Sequence, residues 1–95
     1  MRIELIAPDK LPRQKRALSV LRSDLLRAAG GFSEYRGRGA WQDPSGKVFR
    51  EGHARFDLLA RASDRVIGAF RKYGRRAGER VLFALVNGRG RFIRP

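Results

Sequence analysis

With 95 residues and a hydrophobic fraction of 42%, the chain suits one domain with a modest core. It has no cysteine, which excludes a disulfide framework and a thiolate metal site. Basic residues number 22 against 9 acidic ones, and the net charge of +13 points to an anionic partner.

Codon preference accounts for arginine over lysine, but not for the shortage of Asp and Glu. No apolar run approaches the roughly 18 residues of a membrane span. Asp9 and Lys10 interrupt the first ten residues, so no signal-peptide pattern is present. The expectation is a cytoplasmic protein without membrane contact.

Arg2 to Ala7 alternates as a short strand, with Ile3, Leu5 and Ala7 on one face. Pro8 and Asp9 end it, and Pro12 suits a first helical position. From Arg13 to Ala29 the apolar residues Ala17, Leu18, Leu21, Leu25, Ala28 and Ala29 recur at helical spacing. Gly30-Gly31 stops that helix.

Phe32 to Leu59 reads as a two-stranded hairpin. It closes on Asp43-Pro44-Ser45-Gly46, whose residues match a type I turn. With Pro44 and Ser45 as a two-residue loop, Trp41 faces Val48, Arg38 faces Glu51 and Glu34 faces Arg55, with Arg36 beside His53. That register puts Tyr35, Trp41, Val48, Ala54, Phe56 and Leu58 on an apolar face under the helices. Arg36, Arg38, Glu51, His53 and Arg55 then share the opposite face as cross-strand charge pairs.

A second helix starts near Ser63, a plausible N-cap. Val66, Ala69, Phe70, Tyr73 and Ala77 line one side, and either Gly74 or Gly78 ends it. Val81 to Val86 is an unbroken apolar strand of the kind covered on both faces. Asn87-Gly88 is a hairpin turn into a last strand, Arg89 to Ile93.

The order is that of a ferredoxin-like βαββαβ domain with an extra C-terminal strand, an α+β class spanning residues 1–95. Right-handed crossovers place both helices on one face of an antiparallel sheet. An open sheet face and its edges make a homodimer possible.

The hairpin also carries a resemblance. Gly31-Phe32, Tyr35-Arg36-Gly37-Arg38-Gly39-Ala40-Trp41, Gly46-Lys47-Val48 and Arg50-Glu51 resemble a group of short uncharacterised proteins from bacteria and their mobile elements. That group shares a Gly-x-Trp strand, a turn with Gly and a strand containing Glu. The resemblance implies a small ferredoxin-like α+β domain and assigns no activity.

Function is read from charge. Arg36 and Arg38 in the hairpin, Arg65, Arg71, Lys72, Arg75 and Arg76 on the second helix, and Arg89 and Arg91 in the tail form a candidate phosphate surface. The leading expectation is a non-enzymatic nucleic-acid-associated module that contacts DNA or RNA through phosphates. The RNA-recognition variant of the fold is rejected, because its signature and its platform aromatics are missing. Alternatives are an inhibitor from a phage or other mobile element that covers an acidic protein, and a ligand-sensing dimer.

Catalysis is disfavoured. His53 is the only histidine, and neighbouring arginines neutralise Glu51 and Asp57. No triad spacing, phosphate-binding loop or metal cluster is visible, and Asp9 reads as a turn residue. No cofactor is expected.

Overall fold

Strand β1 (Arg2–Pro8) lies at the centre of the sheet in the computed structural model, which describes residues 1–95. Ile3, Leu5 and Ala7 are fully buried, as their alternation predicts. Antiparallel partners flank β1: β3 (Val48–Leu59) on one side and β4 (Leu82–Val86) on the other. β2 (Ser33–Gln42) adds to β3, and β5 (Arg89–Ile93) adds to β4. The resulting order, β2-β3-β1-β4-β5, is the ferredoxin-like arrangement with one extra strand.

Helices α1 (Pro12–Ala29) and α2 (Asp64–Ala77) cover one face of this sheet. Their apolar stripes, including Leu18, Leu21, Leu25, Val66 and Phe70, join Ile3, Leu5, Phe56 and Ala84 in a single core. Pro12 opens α1, where the Gln14 Oε1 accepts a 2.7 Å bond from the Leu11 N–H. Gly74 does not end α2, which runs on to a left-handed cap at Gly78. Asn87 and Gly88 both hold positive φ, at 51° and 78°, as the expected hairpin turn requires.

The β2–β3 register differs from the expected one by one residue. Gln42 faces Val48, Trp41 faces Phe49 and Arg38 faces Gly52. The cause is at the tip. The turn forms as predicted, but Gly46 takes φ +91° and belongs to a three-residue loop. The Asp43 carboxylate ties that loop together, accepting from the Ser45 and Lys47 N–H groups at 2.9 and 3.0 Å.

Because the side-chain period is two, this slip turns β2 over relative to β3. Ala54, Phe56 and Leu58 face the helices as expected. Tyr35 and Trp41 do not. They lie exposed on the open face, beside Phe49, His53 and Arg55. Val48 points to the helix side but lies beyond the core, and is exposed.

The expected cross-strand charge pairs are replaced by ties to other elements. Arg22 of α1 grips both Glu34 oxygens at 2.7 and 2.9 Å and holds that carboxyl below its usual range. Arg36 reaches Asp9 at 2.7 Å, and Arg55 pairs with Glu4. Arg2 binds Asp57 through two bonds, and the hydrogen bonding lowers the Asp57 pKa.

β4 also departs from expectation. Only Leu82 and Ala84 are buried, while Phe83 and Leu85 are half-buried on the open face. β5 extends the sheet edge and leaves that face open.

Candidate ligand-binding site

β1 stops at Pro8, opposite His53, whereas β2 and β3 run on to their tip at Asp43–Lys47. The far half of the hairpin therefore overhangs the sheet as an arm. Between that arm and the start of β4, on the open face, lies a cleft of about 460 Å³. Ile6, Pro8, Trp41, Val81 and Phe83 supply its apolar walls, and Glu51, His53 and Glu79 its polar groups. An apolar hollow with a few converging polar groups is the usual form of a small-molecule site.

Each wall is held by local structure. The Trp41 indole stacks on Phe49, with centroids 4.4 Å apart and planes 14° from parallel. Lys47 Nζ sits 5.0 Å over the other ring of that stack. His53 lies across Gly37, where an added Cβ would come within 2.7 Å of Nε2. Glycine there gives the imidazole its resting place. Glu79 accepts a 2.7 Å bond from Gln14 Nε2, and Gln14 is itself buried. One carboxylate is thereby anchored, while Glu51 enters no ion pair.

Beneath the cleft, the Tyr73 hydroxyl donates to the Pro8 carbonyl. Burial pushes this phenol far above its ordinary value, and the negative charges of Glu79, Asp9 and Glu51 add to the shift. The neutral form is thus favoured by folding. Stability is full below the unfolded tyrosine pKa and declines as pH rises past it, by about 1.4 kcal/mol per unit from this one group. Urea titrations between pH 9 and 11 should show that decline, and Tyr73→Phe should flatten it. An unchanged slope in Tyr73→Phe would assign the decline to other groups.

The basic residues expected to form one phosphate surface are dispersed. Arg36 and Arg38 lie on the helix side of the arm, near Lys10, Lys15 and Arg50. Arg65, Arg71, Arg75 and Arg76 are exposed on α2, while Lys72 is tied to Asp24 at 3.3 Å. Arg89 and Arg91 belong to β5, at the opposite sheet edge from β2. Sequence reasoning missed Ile6, Phe83 and Glu79 as companions of Trp41, because its register buried the indole.

No family model and no curated protein matches the chain. A solved structure does. It is a phage SAM lyase in complex with S-methyl-5'-thioadenosine, similar at a TM-score of 0.66 and 10% identity. The match covers 99% of this chain and 88% of that one. At such identity the likeness shows the fold. The small ferredoxin-like fold that the hairpin resemblance implies is thereby supported, although the likeness does not reach the particular group the hairpin resembles. It overturns the reading as a nucleic-acid-associated module. The solved relative holds a small molecule, and here the arginines assembled for a phosphate track fall on separate surfaces.

Proposed function

We propose that this chain binds a small nucleoside-type molecule in the cleft between the hairpin arm and β4. The observation that carries the reading is the meeting of Trp41, Phe83 and Ile6 with Glu51, His53 and Glu79 around one hollow. A flat heterocycle stacks on an indole face, and carboxylates accept hydrogen bonds from ribose hydroxyls or an exocyclic amine. The cleft volume falls in the range of small-ligand sites. The S-methyl-5'-thioadenosine held by the phage SAM lyase supports this ligand class, since it combines an adenine, a ribose and an apolar thioether.

Trp41 is the only tryptophan, so its emission reports on the cleft directly. Titration with S-methyl-5'-thioadenosine, and with adenosine in parallel, should give a saturable change. Glu51→Gln should weaken binding by about tenfold, the scale of one hydrogen bond to a charged group. Absence of both a fluorescence change and calorimetric heat at millimolar ligand would refute the proposal.

A further inference from the structure

A second cavity, of about 600 Å³, lies on the other side of the hairpin arm. Its lining includes Lys10, Lys15, Arg36, Arg38 and Arg50. Asp9 also lines it, but this carboxylate is buried and already paired with Arg36. Lys10, Lys15, Arg38 and Arg50 enter no ion pair at all. Four unpaired cations thus converge on one concavity, with Glu51 the only uncompensated carboxylate. Nor does the first turn of the adjoining α1 carry an acidic residue that would offset them.

The β2–β3 register explains why this space stays open. Every arginine on that face stands opposite a small residue: Arg36 opposite Ala54, Arg38 opposite Gly52 and Arg50 opposite Ala40. The guanidinium groups therefore rise around a floor of short side chains and backbone. Clustering like charges costs stability unless a counter-charge arrives. A guanidinium fork matches the oxygens of a phosphate bidentately, and lysines add point charge.

The geometry points to this cavity as a binding site for a small di- or triphosphate group, adjoining the nucleoside cleft, with which it shares Glu51. The source of the phosphates is either a free oligophosphate or a nucleotide. Cations gathered around one concavity, rather than strung along an element, suit a compact polyanion.

Calorimetry with tripolyphosphate and with adenosine triphosphate tests the site on the intact protein. Saturable tripolyphosphate binding at one site per chain is expected, with a rise in thermal midpoint, and adenosine triphosphate is titrated with the nucleoside cleft already filled by S-methyl-5'-thioadenosine. Equal affinity for the two probes identifies the oligophosphate as sufficient, and tighter nucleotide binding identifies the nucleotide as the source. Arg38→Gln/Arg50→Gln should weaken tripolyphosphate binding by about tenfold or more, from lost charge-assisted hydrogen bonds. Arg71→Gln/Arg75→Gln removes the same charge from exposed positions on α2 and should leave affinity within about twofold. Lys15→Gln, on α1, gives a milder loss and guards against a hairpin defect in the double variant. Equal weakening by both double variants would reduce the effect to net charge and overturn the site. Absence of binding by either probe would do the same.

Discussion

Phe56→Ala should lower the unfolding free energy by about 3–5 kcal/mol, whereas Trp41→Ala in the same hairpin should cost roughly 1 kcal/mol or less. Phe56 is fully buried and meets Phe32 edge-on, with centroids 5.3 Å apart. Its removal leaves a cavity in the core beside Phe32 and the cross-strand Leu5 that rigid neighbours cannot fill. Trp41 is 52% exposed and loses mainly its stack with Phe49. Chemical denaturation of the two variants measures both values. The reverse ranking would mean that the indole lies under the helices and that the loop at Gly46 has two residues.

The second large effect sits in α2, where two glycines should respond with opposite signs. An alanine Cβ at Gly74 would approach Leu82 Cδ1 to 2.7 Å and Pro95 Cγ to 2.5 Å. Leu82 is buried in the core and has little room to retreat. Gly74→Ala should therefore destabilise by about 1–3 kcal/mol, the scale of overpacking. A Cβ at Gly68 would meet nothing within 4 Å. Gly68→Ala should stabilise by about 0.5–1 kcal/mol through helix propensity alone. A stabilising Gly74→Ala would show that α2 stands further from β4 than described.

Elements whose periodicity and punctuation agreed were legible in the sequence. Ile3, Leu5 and Ala7 alternate and are buried; Leu18, Leu21 and Leu25 repeat at helical spacing and are buried. Asn87-Gly88 names its own turn. The face of β2 was not legible, because pattern and position conflict there. Tyr35 and Trp41 alternate with Glu34, Arg36 and Arg38, which argues for aromatics inside. Tertiary partners decide otherwise: Arg22 and Asp9 take up Glu34 and Arg36 on the helix side. The signal for the true register was Gly46, whose left-handed conformation adds a residue to the loop. Gly74 misled in a different way. It suggested a helix end, when its role is to admit Leu82 and Pro95.

The ligand cleft was unreadable for a related reason. Its residues come from β1, β2, β3 and the approach to β4, and only the register brings Trp41 round to meet them. Charge counting picked out arginines from three surfaces and merged them into one. Of those, Arg36 and Arg38 do share a cavity, with companions that a linear reading left out.

The central position of β1 sets a timetable for synthesis. Ile3 pairs with Leu58 and with Val86, so β1 waits for all of the intervening elements to be made before its second edge is covered. At translation speeds of about 5–20 residues per second, that wait is roughly 4–16 seconds. Until β3 is made only α1 is at hand to shield Ile3 and Leu5, and afterwards the edge meant for β4 stays open to wrong partners. Folding should accordingly be limited by distant strand pairing rather than by helix formation, and nascent chains halted before β4 should be the ones that aggregate.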